Sequence, residues 1–215
     1  MTLKYQLLTL SSTLIFIGCS GGGTDSVDTT SNETAASSGA TSGSVTITTP
    51  NPFPAEVLPA DTISAYLDVI NTARATGREC GVQGYYPATS AVTWNDELYA
   101  AAMEHSTDMA ESNTFGHSGS GTSSDWTGIE YGKESTSQER TENNGYQNWK
   151  AIGENLTAGT VVDTAQEAVD NWIESDVHCV QLMNPAYTEV GMALVYEEAS
   201  QYTNYWSQNF GAKRQ

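Results

Sequence analysis

Apolar and polar positions alternate with helical spacing in three stretches of the chain. Asp61 stands where an N-cap would, Ile63, Tyr66, Leu67 and Ile70 follow on one face, and Gly77 marks a stop, which predicts a helix over residues 62–76. A second helix is predicted from Trp94-Asn95-Asp96-Glu97, with Asn95 as cap, early acids suited to the helix dipole, and the row Leu98, Ala101, Ala102, His105, Met109 on one side. The third runs from Thr164 to Ser175 through Ala165, Ala168, Val169 and Trp172, with Asp163 as its cap. The period changes to two in Glu189–Tyr196, where Val190, Met192, Leu194 and Tyr196 alternate with Gly191, Ala193 and Val195. A second strand is expected over Tyr202–Phe210 and a shorter one over Asn155–Ala158. Between them, Ser118–Ser137 is rich in Gly, Ser and Thr and reads as a surface excursion, followed by a short helix near Glu139–Asn144. Helices first and an antiparallel hairpin last imply an α+β layered domain.

The first quarter of the chain follows different rules. Residues 1–19 carry Lys4, then an apolar stretch through Leu7, Leu8, Leu10, Leu14, Ile15, Phe16 and Ile17, then Gly18 and Cys19. The stretch is shorter than the ~20 residues of a spanning helix and reads as a signal peptide. Its end is similar to a lipobox, which makes Cys19 the expected lipidated residue and the envelope, the outer membrane in a Gram-negative cell, the expected location. The alternative is ordinary cleavage and secretion. Residues 20–59 are Ser, Thr, Gly and Ala with scattered acids and a proline-studded end, too poor in apolar side chains to offset the entropy of ordering. They are expected to tether a domain over residues 60–215 at a reach on the order of 35 Å.

Composition narrows the partners. A formal charge of −18 repels phosphate backbones and anionic headgroups, so nucleic acid is excluded as a partner and membrane contact is left to the lipid anchor. Cys80 and Cys179 remain in the exported part, where an oxidising compartment favours pairing.

Several short segments stand out in order: Asn71-Thr72-Ala73-Arg74, Leu98 to Met109, Phe115-Gly116-His117-Ser118-Gly119, Gly145-Tyr146, Gly153-Glu154-Asn155-Leu156, Ala168 to Trp172, Ser175 to Cys179, Asn184-Pro185, Glu189-Val190-Gly191 and Tyr205 to Gly211. Together these resemble the bacterial branch of the CAP superfamily (cysteine-rich secretory, antigen 5, pathogenesis-related; the SCP domain). The resemblance implies a three-layer α-β-α sandwich with a small antiparallel sheet and an open cleft where histidines face glutamates. Carried over by residue, the cleft holds His117, Glu154 and His178. Glu174 and Asp176 both stand near the place of a second glutamate without the familiar spacing, and Glu174 is taken as the fourth candidate. The resemblance also implies a Cys80–Cys179 disulfide, the alternative being two free buried thiols.

Imidazoles with a carboxylate are a usual ligand set for zinc and related divalent cations, the expected cofactor. Glu154 has a structural alternative, bonding backbone beneath the cleft. His105, on an apolar row, is expected to be a buried histidine, and Ser118 beside His117 is badly placed to act as its nucleophile. Tyr202, Tyr205, Trp206 and Phe210 are expected in packing and not as a ligand platform. These features imply a surface module binding a metal with a small ligand, lipid or peptide. Two alternatives stay open: a metal-assisted hydrolase with Glu154 as general base acting on peptide or cell-wall bonds, and an acidic face that docks a protein.

Overall fold

Sheet pairing organises the molecule. The computed structural model describes residues 57–215, so the expectations for the leader, Cys19 and nearly all of the linker lie outside the described residues. In chain order the elements are α1 (Ala60–Arg74), β1 (Arg78–Glu79), a 3₁₀ turn (Gly81–Gln83), β2 (Tyr85–Tyr86), β3 (Thr93–Trp94), α2 (Asp96–Ser112), α3 (Trp126–Tyr131) and α4 (Ser137–Asn143). They continue with β4 (Trp149–Ala158), α5 (Ala165–Glu174), α6 (Asp176–Met183), β5 (Glu189–Tyr196) and β6 (Asn204–Lys213). The main sheet has the order β3-β5-β6-β4, antiparallel except for the short β3–β5 pair, and β1 and β2 form a separate ribbon.

Alternation along β6 assigns the two faces. Trp206 and Phe210 join Val190, Met192, Ile70, Trp172 and Leu182 in the main core, under α1, α5 and α6. Tyr205 and Ser207 point the other way, where α2 lies. There the Ser106 hydroxyl donates to Ser207 Oγ at 2.9 Å, and Met109 packs with Leu156 and Tyr205. Helices on both sides of one sheet make the α-β-α sandwich that the resemblance implies. Gly191 permits the close approach of α2: a Cβ there would stand 2.0 Å from the Tyr99 nitrogen.

Several boundaries differ from the sequence reading. Helix α1 starts at Ala60 with Pro59 as its N-cap, and Asp61, expected as the cap, sits inside the first turn and accepts from Thr62 N at 2.9 Å. On α5 the cap is Thr164, not Asp163, because Thr164 forms a capping box with Glu167. The segment after it turns at Ser175, whose backbone is extended, and starts the separate helix α6. Strand β4 is longer than expected and β6 runs later in the chain. The Gly/Ser-rich excursion contains α3 and is ordered by buried acids described below.

Two fastenings hold α6 against the body. The disulfide Cys80–Cys179 joins it to the 3₁₀ turn, with Cα atoms 5.5 Å apart and a sequence separation of 99. Arg74, fully buried at the end of α1, donates to the carbonyls of Ser90 at 3.0 Å, Leu182 at 2.6 Å, Asn184 at 3.3 Å and Tyr187 at 3.4 Å. Burial draws its pKa down to about 10, so the guanidinium stays charged at neutral pH and caps the last carbonyls of the helix. Among the described residues, no helix is long and apolar enough to cross a membrane.

A bridge closing a loop of about 100 residues stabilises by about 4.7 kcal/mol in the chain-entropy picture. The Cys80→Ala/Cys179→Ala variant is therefore expected to lose about 2–5 kcal/mol in urea unfolding. Non-reducing mass spectrometry of the wild type should find no free thiol at either position.

Candidate functional site

Strand β4 is an outer strand of the sheet, and its side chains alternate between the two helical layers. Glu154 lies opposite Asn209 and so shares the face of Ser207 and α2, whereas Asn155 lies opposite Gln208 and turns toward α6. Asn155 Nδ2 donates to the His178 carbonyl at 3.2 Å, which ties the first turn of α6 to the strand. A hollow of about 330 Å³ opens across this rim, lined by His117, Ser137, Glu154, Val177, His178 and Gln181. Three candidates from the sequence, His117, Glu154 and His178, thus meet in one place. Glu174 does not: it ends α5, is exposed, and does not line the hollow. Ser118 is exposed and also stands outside the lining.

His117 is held by the excursion after α2, and α2 itself orders that excursion. His105, 0% exposed as its place on the apolar row implies, has Nε2 at 2.8 Å from the Gly116 carbonyl, one residue before His117. Asp108 accepts from Ser120 N at 2.8 Å and from the Ser124 hydroxyl at 2.7 Å. Glu104 accepts from Thr127 N at 2.7 Å, and Asp125 from Gly121 N at 3.1 Å, Gly128 N at 2.9 Å and Ser135 N at 3.0 Å. A segment without a core of its own is fixed by buried carboxylates that consume its backbone donors.

Glu154 is the pivot. Its side chain is 2% exposed, and His117 Nδ1 lies 2.9 Å from Oε1. Arg140, fully buried on α4, donates through Nη2 to Glu154 Oε2 at 3.0 Å and Oε1 at 3.3 Å, and to the His117 carbonyl at 2.9 Å. Its Nη1 reaches Ser135 Oγ at 2.9 Å and the Ser135 carbonyl at 3.2 Å. Burial pushes the Glu154 carboxyl up, but Arg140 and then His105 and His117 outweigh it and hold it at about 2. Burial lowers His178, and His117 across the hollow lowers it further. In His105, burial and the nearby Arg140 bring the imidazole down to about 4, so it is neutral and its Nε2–H donates to Gly116.

The sequence reading did not find Arg140. Thr136 and Glu139 form a capping box that starts α4, and Arg140 is the single basic residue of that helix; the box is the signal that could have located it. What the hollow offers a cation is accordingly narrower than three ligands. Both Glu154 oxygens are engaged, and among the described residues no group of three or more His, Cys, Asp or Glu side chains stands placed to hold a metal ion. Two imidazoles remain. With Nδ1 turned to Glu154, Nε2 is the ring nitrogen of His117 left for a ligand, the arrangement in which metal-binding histidines are oriented by a carboxylate behind them.

The sequence profile of the cysteine-rich secretory protein (CAP) family matches residues 67–210, which include every residue of this site. The chain belongs to the CAP family. Comparison with curated proteins finds no significant match. Among solved structures, the chain is similar to an extracellular protein containing an SCP domain from Bacillus anthracis. The identity is 20% with a TM-score of 0.50, over 74% of this chain and 45% of that one. It is also similar to an outer surface protein of Borrelia burgdorferi, at 17% identity and TM-score 0.49, over 69% of this chain and 93% of that one. A third is a cysteine-rich secretory protein of Staphylococcus aureus, at 16% identity and TM-score 0.41, over 74% of this chain and 42% of that one. The chain thus spans less than half of the Bacillus and Staphylococcus chains, and what the Bacillus likeness establishes is the CAP fold alone.

Removing Arg140 from this CAP domain leaves a buried carboxylate without its cation. Arg140→Met is expected to cost about 3–5 kcal/mol in denaturant unfolding at neutral pH, and Arg140→Met/Glu154→Gln to recover part of that. Acid should act in two stages. His105 is lowered from 6.5 to about 4, so the unfolded chain takes its proton first and stability falls as pH drops from 6.5 toward 4. Glu154 is lowered from 4.5 to about 2, so its contribution is complete above 4.5 and is lost as pH falls toward 2. Unfolding midpoints measured from about pH 7 to about pH 2.5 check this, and His105→Gln should flatten the upper stage.

Proposed function

We propose that this CAP protein is an extracytoplasmic surface module, anchored through Cys19, whose hollow binds a divalent cation on His117 and His178 together with a small ligand, lipid or peptide. The observation that carries the reading is the chain Arg140–Glu154–His117, with Glu154 2.9 Å from Nδ1 and Arg140 3.0 Å from the carboxylate. It fixes the ring, selects the tautomer and leaves Nε2 for the hollow. Two imidazole ligands suit zinc, copper or nickel better than magnesium or calcium, with solvent or the ligand filling the other positions. The leader pattern and the fold shared with an extracellular SCP-domain protein support an envelope location.

The state of Glu154 favours binding over metal-assisted hydrolysis. A general base must accept a proton near its working pH, whereas the Glu154 carboxyl sits at about 2 with both oxygens already bonded. Its place in the site is to orient His117.

Isothermal titration of residues 57–215 with zinc is expected to show one site of micromolar affinity, lost in His117→Ala/His178→Ala. Glu154→Gln should weaken it about 10–100-fold, the usual effect of removing a carboxylate behind a metal-binding histidine. No heat with zinc, copper or nickel in the wild type would overturn the metal part.

A further inference from the structure

Gln181 lines the hollow one helical turn after His178, on the same face of α6. Its amide is held from behind. The Tyr187 hydroxyl lies 2.6 Å from Gln181 Oε1 and 3.2 Å from the Ile152 carbonyl; the shorter contact suits O–H···O bonding and is short for N–H···O, so the tyrosine donates to the amide oxygen. Tyr187 is itself fixed: it is 4% exposed and stacks on Phe210 with ring centroids 5.0 Å apart and planes 8° from parallel. The notch that admits this pair belongs to β4. A Cβ at Gly153 would stand 2.2 Å from the Tyr187 hydroxyl and 2.9 Å from Gln181 Oε1, so the glycine before Glu154 makes the room. With its oxygen drawn toward Tyr187, the Gln181 amide turns its two N–H donors the other way, and they belong to a side chain of the hollow's lining.

The rest of the hollow is complementary to the same kind of ligand. Its one carboxylate, Glu154, has both oxygens engaged, so no free acid repels an anion. The two imidazole rings add polar nitrogens, Ser137 offers a hydroxyl, and Val177, 59% exposed, supplies an apolar flank. We infer that Gln181 is a specificity-determining residue of the hollow, its amide N–H₂ donating to a carboxylate oxygen of the ligand, and that Tyr187 and Gly153 are the positioning residues that aim it. The inference deepens the binding reading above and rests on it for the place of the ligand; the Gln181 donor itself does not need the metal.

The test uses N-acetylglycine, a small carboxylate, as probe, with N-acetylglycinamide as the uncharged control, and the full chain both zinc-loaded and metal-free. Binding is followed by ¹⁵N NMR at the Gln181 side-chain amide, and zinc affinity is measured separately by calorimetry. N-acetylglycine is expected to shift the Gln181 N–H₂ signals and to bind more tightly than the amide control. Gln181→Met should weaken the probe about tenfold, and Tyr187→Phe, which keeps the stacked ring, about threefold, with zinc affinity unchanged in both. If zinc binds normally but the probe fails to bind, or binds the wild type and Gln181→Met equally, the inference is overturned and the metal reading stands. If zinc does not bind yet the probe still depends on Gln181, the inference stands and the metal reading falls.

Discussion

A carboxylate with a few percent of its surface left in water stays ionised only if buried positive charge or a set of hydrogen-bond donors replaces the water it has lost. Glu154 and Arg140 meet that condition for each other, and much of the surrounding structure serves the pairing. Strand β4 delivers the carboxylate from the rim of the sheet and α4 delivers the guanidinium. The same guanidinium nitrogen that bonds Glu154 also takes the carbonyl of His117. One cation therefore sets the charge state of the site's acid and the backbone position of its histidine. Were the pair absent, the excursion between α2 and α4 would lose the contact that joins it to the sheet at the hollow.

The excursion shows how a segment poor in apolar residues becomes ordered. Its Ser, Thr and Gly residues contribute little to a core, but their backbone and hydroxyl donors are absorbed by Glu104 and Asp108 on α2 and by Asp125 within it. Buried acids are normally costly, and here hydrogen bonds offset part of the loss of hydration, while burial still pushes the Glu104 carboxyl up. For Asp125 they hold the carboxyl below its ordinary range in spite of burial.

How much of this could be read from the residues follows from the reach of each signal. The long elements are written in local periodicity: the rows of α2, α5 and β5 predict their cores directly, and Ala168, Val169 and Trp172 are buried as their spacing implies. His117, Glu154 and His178 were legible through an ordered set of short segments resembling a family, and the structure places them around one hollow. Arg140 and Gln181 were not, because what places them is no local period: Arg140 meets a strand 14 residues on, and Gln181 is set by a tyrosine beyond the end of its helix and by the empty side of a glycine. Helix α6 escaped for a local reason. It is eight residues long and has no side-chain cap, so it left no pattern to see. Glu174 was taken from the resemblance without the familiar spacing, and two residues past the buried Trp172 it falls on the outer side of α5.

Because β4 ends the sheet, the two imidazoles belong to opposite helical layers: His117 rides on the layer of α2 and α4, His178 on that of α1, α5 and α6. Their spacing is a caliper closed on the rim of the sheet. Any change in how either layer is seated, including a substitution deep under α1 and far from the hollow, is transmitted to the jaws as a change of gap. Remote core packing can then set the width of the hollow without altering a single residue that lines it.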